Sequence, residues 1–350
     1  MYRDNFGETG EFVVGDVHQL DAAKVPTVAL ATASFPCNDL SLAGARRGLE
    51  GAQSSAFWGF MEVLTKMGPR RRPPLILLEN VTGFLSSNDG NDFRDALIAL
   101  NRLGYAVDAL IIDALRFLPQ SRQRLFVVGI KTRQTSALND APRFYECACR
   151  PAALADFILW HPEINWQIRQ LPQLPTSHKR LADILEDLPA NSGAWWSKER
   201  CDYLLNQMSV KHRTSAEAMI SGKQMTYGTV FRRIRNGRSM AELRTDGVAG
   251  CLRTPRGGSG RQILVAAGRG RFAVRLLTPR ECARLMGADD FVLNVPLNQA
   301  LFGFGDAVCV PVVEWIANNY LTPVWKSEFA EEPVPFRPET PASYRVRKIR

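Results

Sequence analysis

The stretch "PLILLENV", residues 74–81, is a short apolar run that ends in a carboxylate and an amide. Continuous apolar runs of this length, bounded by turn residues, are typical of strands that are buried on both faces. Further candidate strands lie at 11–17, 27–35, 106–114 and 124–130, and helical patterns lie at 55–68 and 92–105. This alternation predicts an α/β region in which helices cover a parallel sheet.

The composition is that of a globular protein with a sizeable core, since 45% of the 350 residues are hydrophobic. The chain has no run of 18 apolar residues, and its amino terminus lacks the apolar stretch of a signal peptide, so we expect a cytoplasmic protein without a membrane partner. Seven cysteines without regular spacing do not form a disulfide framework. Cys147 and Cys149 are the only close pair, and we interpret them as packing residues and expect no metal site.

Polar side chains lie at the ends of three of the predicted strands. Asp16 comes after "FVVG", Cys37 after "VALATASF" and Glu79 after "LILL", while "PQSRQR" at the start of the last strand supplies Arg122 and Arg124. Ligands of open α/β sheets bind in the crevice beyond the carboxyl ends of the strands. The pattern therefore predicts a thiol, carboxylates and guanidinium groups around one crevice.

These groups favour one kind of acceptor for the thiol. A cysteine nucleophile must become a thiolate and needs a polarised acceptor. The four histidines stand in no recognisable arrangement with a cysteine, which argues against a Cys/His hydrolase. A glutamate and an arginine suit a heterocycle, whose ring nitrogen would contact the carboxyl group while its carbonyl oxygen contacts the guanidinium.

Five motifs in order resemble those of the DNA cytosine-5 methyltransferases. They are "FPCNDLS" (35–41), "ENVTGF" (79–84), "PQSRQR" (119–124), "RLLTPRECARLMG" (275–287) and "QALFGFGDAV" (299–308). The resemblance covers nearly the whole chain. It implies the α/β Rossmann-like sheet of S-adenosylmethionine-dependent methyltransferases, with a smaller and irregular target-recognition domain.

The change in residue pattern along the chain agrees with such a division. After Pro142 the alternation is lost and prolines and Gly-rich segments become frequent. We expect a catalytic domain over 1–144, a target-recognition domain over 145–275, a return to the catalytic domain over 276–325 and a loosely ordered tail over 326–350.

The resemblance also implies a mechanism. Cys37 would attack C6 of a cytosine, Glu79 would contact N3 and the exocyclic amine, and Arg124 would hold O2 with Arg122 beside it. C5 would then take a methyl group from S-adenosyl-L-methionine. Because C6 is not accessible inside a duplex, the base must leave the stack.

The cofactor positions come from the same resemblance. Asp16 and Val17 match an acidic and hydrophobic pair that contacts the adenine, and Pro36 matches another cofactor contact. Asp306 stands where the family has asparagine, so a hydrogen-bond donor near the cofactor is replaced by a carboxylate.

Double-stranded DNA is the expected partner. Residues 211–275 contain fourteen Lys or Arg against three acids, which indicates a surface for phosphates. Arg253 and Arg256, in a Gly-rich segment, are the candidates for contacting base edges. Asn38 and Ser41 would line the pocket for the flipped base.

The chain departs from the family at its beginning. Family members start with a strand and a Gly-rich turn, Phe-x-Gly-x-Gly, followed by a second strand, and neither is recognisable here. The resemblance thus implies an incomplete cofactor site and unpaired strand edges. We expect the absent segment to come from upstream in the gene or from a separate amino-terminal subunit.

Two alternatives stay open. One is a non-catalytic DNA-binding or regulatory relative, or a truncated gene product. The other is a cysteine-dependent enzyme of the same fold that acts on RNA. The presence of Cys37, Glu79, Arg122 and Arg124 favours an active methyltransferase, and the long basic stretch favours duplex DNA.

Overall fold

The computed structural model describes residues 1–7, 12–35, 56–132, 144–235, 237–254 and 260–329. The chain divides into two compact units. The α/β unit comprises residues 13–112, 124–173 and 317–350, and the antiparallel unit comprises residues 1–12, 113–123 and 174–316. These units are defined by compactness, whereas the predicted domains are defined by function. The predicted domain boundaries therefore stay a prediction.

The α/β unit is built on a four-stranded sheet. Its strands are β1 (Leu30–Ser34), β2 (Leu75–Val81), β3 (Tyr105–Asp113) and β4 (Gln123–Lys131), in the order β1-β2-β4-β3. Four of the five candidate strands are thereby confirmed. The expectation of a parallel sheet is confirmed for β1 and β2 but is wrong for β4, which pairs with β2 in antiparallel fashion. The connection from β3 to β4 contains no crossover helix that could return the chain for parallel pairing.

The fifth candidate strand, residues 11–17, is not a strand in its described part. Residues 12–16 are irregular, and a short 3-10 turn, Val17–Gln19, follows them. Val13 and Val14 are 71% and 81% exposed. A segment rich in valine forms a strand only where a neighbouring strand satisfies its backbone groups, and the described residues offer this segment no such neighbour.

The helices are α1 (Tyr2–Phe6), α2 (Ala56–Arg71), α3 (Asn91–Arg102), α4 (Ala152–Trp160), α5 (Lys198–Asn206), α6 (Val210–Ser221), α7 (Pro279–Leu285), α8 (Leu297–Asp306), α9 (Val310–Ile316) and α10 (Thr322–Val324). The two helices predicted between the strands are confirmed as α2 and α3. Their buried side chains, such as Phe57 and Leu97, pack in one core with Ile76 and Val107 from the sheet. This core holds the strand ends that carry the candidate site.

A buried carboxylate lies inside the α/β unit. Asp108 is fully buried in β3 and forms an ion pair of 2.7 Å with Arg150. The backbone nitrogen of Arg169 and the hydroxyl group of Tyr320 also donate to this carboxylate. A charge is tolerated in a core only when it is paired and hydrogen-bonded, as it is here. The pair ties the segment after residue 144 to the sheet.

The antiparallel unit contains a second four-stranded sheet, which the sequence analysis missed. Its strands are β5 (Thr226–Arg235), β6 (Arg238–Arg244), β7 (Ile263–Gly268) and β8 (Arg271–Leu276), in the order β6-β5-β7-β8. The segment is therefore not irregular throughout. An antiparallel strand needs only one apolar face, so its other face can carry the arginines and polar residues that obscure the pattern in the sequence.

The helix predicted at 278–287 is confirmed as α7. The side chain of Thr278 accepts from the backbone nitrogen of Glu281, and the Glu281 carboxylate accepts from the backbone nitrogen of Thr278. Glu281 also pairs with Arg275, which donates to it at 2.7 Å, and both side chains are at most 1% exposed. This motif thus fixes the start of α7 against the end of β8.

Within the described residues, one helical stretch, Leu297–Phe329, is long and apolar enough to pass a length-and-composition test for a membrane span. Helices in the core of soluble proteins pass the same test. Buried side chains along it, including Phe304, Ile316 and Tyr320, pack inside the protein.

Candidate active site

The site begins with the pairing of β2 and β4. Val81 lies opposite Arg124 and Glu79 lies opposite Phe126, so Glu79 and Arg124 are diagonal neighbours on the same face of the sheet. The Nε atom of Arg124 lies 3.0 Å from Oε1 of Glu79, and the side chains are 17% and 12% exposed. The structure therefore brings together two of the predicted catalytic residues, at the carboxyl end of β2.

Asn80 fixes the end of the neighbouring strand. Ser34, the last residue of β1, is in register with Glu79. The side-chain amide of Asn80, which is 4% exposed, donates to the carbonyl oxygen of Phe35 at 3.2 Å, and its oxygen accepts from the backbone nitrogen of Val81 at 2.8 Å. The chain that leaves β1 is thus held beside Glu79, two residues before Cys37.

Several predicted site residues lie outside the described residues. They are Pro36, Cys37, Asn38, Ser41 and Arg256. Their roles stay predictions.

Arg122 has a different environment from Arg124. It is 3% exposed and donates to three backbone carbonyl oxygens of the antiparallel unit: Leu252 at 2.9 Å, Gly305 at 3.1 Å and Ala307 at 2.7 Å. Buried carbonyl groups need donors, and one guanidinium supplies several in a fixed plane. Arg122 therefore joins the segment before β7 to the end of α8.

Gln120 of the same motif contributes to the same junction. Its fully buried side chain donates to the carbonyl oxygen of Leu285 at 2.7 Å and accepts from the backbone nitrogen of Leu252 at 3.0 Å. Gly305 also lies at this junction. A Cβ atom there would lie 2.4 Å from the backbone nitrogen of Thr254, so the close approach requires glycine.

The exposed residues Arg253 and Asp306 flank this junction within the antiparallel unit. Arg253 follows Leu252 and Asp306 follows Gly305, and each of these neighbours accepts a hydrogen bond from Arg122. Their side chains therefore project from a backbone that is fixed by buried contacts. A backbone that is fixed in this way can position functional side chains precisely.

Asp16 and Val17 lie in the α/β unit, at the 3-10 turn that follows the irregular segment. The exposed carboxylate of Asp16 accepts from the backbone nitrogen of His18 at 3.0 Å. Val17 is half-buried, and it approaches α2 so closely that a Cβ at Gly59 would lie 2.5 Å from its Cγ1 atom. An acceptor beside an apolar side chain fits the amine and the ring of an adenine.

The basic surface of the antiparallel unit centres on the β5–β6 hairpin. Arg233, Arg235 and Arg238 are exposed on one face of the hairpin, and Ile234 on the other face is 76% exposed. Glu242 pairs with Arg235 at 2.7 Å and with Arg233 at 3.5 Å. The hairpin thus presents oriented guanidinium groups.

The β5–β6 hairpin lies at the end of the second sheet where β7 begins. Ile263, the first residue of β7, pairs with Val230, and β5 continues beyond this point to Arg235. These five further residues extend about 17 Å at the usual rise of a strand. Arg253 lies at that end too, because a Cβ atom at Gly260, just before β7, would lie 3.6 Å from the Cβ atom of Arg253.

Sequence reasoning missed two kinds of residue. Asn80 was noted only as a polar neighbour of Glu79, and its bond to Phe35 depends on the register of β1 and β2. Asp108 was missed altogether, although a carboxylate inside the apolar run "YAVDALIID" is a signal of a buried ion pair.

The sequence resembles known methyltransferases over most of its length. It matches the family described as C-5 cytosine-specific DNA methylase over residues 1–322. Type II methyltransferase M.HhaI of Haemophilus parahaemolyticus is 25% identical, over 91% of this chain and 83% of that relative. Type II methyltransferase M.DsaV of Dactylococcopsis salina is 28% identical, over 95% of this chain and 78% of that relative.

Solved structures share the fold. The S. pombe Dnmt2 methyltransferase superposes with a TM-score of 0.56 at 18% identity and covers 93% of this chain and 86% of its own. The Entamoeba histolytica methyltransferase EhMeth superposes with a TM-score of 0.54 at 15% identity, over 91% of this chain and 85% of its own. The predicted methyltransferase fold is confirmed.

The contacts of Arg122 predict that its removal destabilises the protein. Arg122→Ala should lower the free energy of unfolding by about 3–5 kcal/mol, because buried carbonyl groups lose a charged donor. Denaturant unfolding followed by circular dichroism measures this change. Arg116→Ala, an exposed arginine in the same connection, is the matched control and should change stability by no more than about 0.5 kcal/mol. Equal stabilities of the two variants would contradict the assignment.

Proposed function

This chain belongs to the C-5 cytosine-specific DNA methylase family, and from that membership we propose that it methylates C5 of cytosine in double-stranded DNA with Cys37 as the nucleophile. It is a methyltransferase that uses S-adenosyl-L-methionine. The observation that carries the proposal is the Glu79–Arg124 pair at the end of β2, beside the strand end that leads to Cys37.

Cys37 performs the covalent step. Its thiolate adds to C6 of the cytosine, the S–C6 bond forms, and the ring electrons make C5 nucleophilic. After C5 has taken the methyl group, a base removes the C5 proton. The electron pair of that C–H bond re-forms the C5–C6 double bond, and the S–C6 bond breaks to restore the thiolate.

Glu79 and Arg124 orient and polarise the ring. Glu79 contacts N3 and the exocyclic amine, and Arg124 donates to O2. A guanidinium carries five donors in a rigid plane, so one side chain can hold Glu79 and the substrate oxygen together. Both side chains belong to paired strands, and strands position catalytic groups more precisely than loops do.

Arg122 acts as a positioning residue in this proposal. Its contacts with Leu252, Gly305 and Ala307 support the backbone next to Arg253 and Asp306. The "PQSRQR" motif thus combines one arginine for the substrate with one for the scaffold.

S-adenosyl-L-methionine supplies an electrophilic methyl group on a sulfonium centre. Asp16 would accept from the adenine amine and Val17 would pack on the ring, in keeping with the exposed carboxylate and the half-buried side chain. Pro36 and Asp306 are the further cofactor positions.

Duplex DNA is the proposed partner. The exposed arginines of the β5–β6 hairpin and Arg253 neutralise phosphates and reach base edges, and a β-hairpin fits the major groove. Arg256 joins this surface, and Asn38 and Ser41 line the pocket of the flipped base. An enzyme that modifies DNA works where the DNA is, which we propose is the cytoplasm.

The outer edge of β1 supports a further part of the proposal. Among the described residues, β1 pairs with β2 alone, and Val13 and Val14 nearby in the sequence are exposed. An unpaired edge is a template for another strand. We propose that a segment with two strands and the Gly-rich turn pairs with this edge of β1 and completes the cofactor site. The segment would be encoded upstream in the gene or carried by a separate amino-terminal subunit.

The first test concerns the nucleophile. With the strand-bearing segment of a type II relative supplied, Cys37→Ala should abolish methyl transfer and the covalent trapping of 5-fluorocytosine DNA, while duplex binding persists. Cys147→Ala, which removes an exposed cysteine, is the control and should keep both reactions under reducing conditions. A covalent adduct in the Cys37→Ala chain would show that another residue is the nucleophile.

The second test concerns DNA. Duplex binding, measured by fluorescence anisotropy, should weaken steeply with salt because each neutralised phosphate releases counterions. Arg253→Ala should relax sequence preference at a cost of about 1–3 kcal/mol if the side chain contacts a guanine. Arg269→Ala changes an arginine in the turn at the opposite end of the sheet and should have little effect. Salt-independent binding, or tighter binding of RNA than of duplex DNA, would contradict this partner.

The third test concerns the edge of β1. Calorimetry should detect weak binding of S-adenosyl-L-methionine to the chain alone and stronger binding once the strand-bearing segment is added. Hydrogen exchange of Leu30–Ser34 should be faster than that of Leu75–Val81 and should slow on addition of the segment. Tight cofactor binding by the chain alone would mean that the site is complete without it.

A further inference from the structure

A pair of thiols that the proposed methyl transfer does not use lies in a tight turn of the α/β unit. In "ECACR", residues 146–150, the backbone nitrogen of Cys147 donates to the carbonyl oxygen of Arg150 at 2.9 Å, and the reverse bond measures 3.0 Å. The Sγ atoms of Cys147 and Cys149 lie 3.3 Å apart. The turn therefore holds two thiols in direct contact.

The two thiols differ in exposure. Cys147 is exposed, whereas Cys149 is 3% exposed. The carbonyl oxygen of Cys149 accepts from the backbone nitrogen of Ile111 at 2.8 Å, which fixes the buried member on β3. A reagent in solution can therefore reach the sulfur of Cys147, whereas the sulfur of Cys149 is accessible mainly to Cys147.

Arg150 makes the surroundings of Cys147 electropositive. Its Nη1 atom lies 3.8 Å from the sulfur, and its position is fixed by the ion pair with Asp108. The hydrogen bond from Cys149, together with backbone N–H groups and Arg150, lowers the pKa of the Cys147 thiol to about 5. The contact with Cys147 and burial raise the pKa of Cys149. Cys147 is thus the thiolate of the pair.

The surroundings do not suit a zinc ion. Zinc sites in proteins use three or four ligands. Among the residues that the structure describes, no group of three or more His, Cys, Asp or Glu could hold a metal. Two thiols in contact, one exposed and ionised and one buried, instead match the attacking and resolving cysteines of thiol–disulfide exchange.

We propose that Cys147 and Cys149 form a reversible redox site that reacts with small-molecule disulfides such as oxidised glutathione. The Cys147 thiolate attacks one sulfur of the disulfide, an S–S bond forms, and one thiolate leaves. Cys149, having given its proton to solvent, attacks the sulfur of Cys147 and expels the second thiolate. Counted from two neutral thiols, the protein pair loses two electrons and two protons, and the two released thiolates take up these protons to become thiols.

The geometry favours the second step. The sulfurs need to approach by about 1.3 Å to reach the usual S–S bond length. Because both thiols belong to one turn, the resolving step is intramolecular and outcompetes a second reagent molecule. Arg150 contacts Asp108 through Nε and Nη2 and the Cys147 sulfur through Nη1, so this step need not break the ion pair in the core.

The test uses the reduced full chain and 5,5′-dithiobis(2-nitrobenzoate) at pH 6. Because trypsin does not cleave the Arg150–Pro151 bond, the tryptic peptide spans residues 144–169, and it contains both thiols and no others. Mass spectrometry should find this peptide with an internal disulfide and no retained adduct, after a reaction about tenfold faster than that of Cys251. The rate should fall as the pH drops below about 5, where the Cys147 thiolate takes up its proton.

Variants separate the two roles. Cys149→Ser should leave one stable adduct on Cys147, and Cys147→Ser should remove the fast reaction of the peptide. Cys251→Ser is the control and should change neither result. Three outcomes would overturn the proposal: equal rates for Cys147 and Cys251, two retained adducts on the wild-type peptide, or a fast reaction that survives Cys147→Ser. Because Cys147 is exposed, its variant should fold even if Cys149→Ser does not.

Discussion

The antiparallel pairing of β2 with β4 is the constraint on which the candidate active site depends. This register makes Glu79 and Arg124 diagonal neighbours on one face of the sheet, although they are far apart in the sequence. A slip by one residue would turn one of the two side chains to the opposite face. The buried apolar residues of both strands oppose such a slip, so packing in the core maintains the geometry of the site.

The two arginines of one short motif have different tasks. Arg124 lies inside β4 and reaches Glu79, whereas Arg122 lies before the strand and reaches carbonyl groups of the antiparallel unit. Spacing by two residues would place both on one face of a continuous strand. Because the strand begins at Gln123, that periodicity does not extend to Arg122.

Buried ion pairs occur in both units, and each holds a neighbouring segment to the sheet of its unit. Asp108 with Arg150 does so in the α/β unit, and Arg275 with Glu281 does so in the antiparallel unit. Such pairs add little net stability, but an unpaired member would be very costly, so each pair specifies which segment packs where. Arg150 has a second effect, because the same guanidinium lies beside the exposed thiol of Cys147.

The sequence alone determined the family, four strands of the first sheet, the capped helix after Thr278 and the candidate chemistry of Glu79 and Arg124. These features depend on local patterns and motifs, which can be recognised without knowing distant contacts. Only the tertiary structure decided the antiparallel position of β4, the second sheet, the bond from Asn80 to the end of β1 and the buried task of Arg122. The reason is that strand register and burial depend on partners far away in the chain, whereas a sequence pattern reports only on its neighbours.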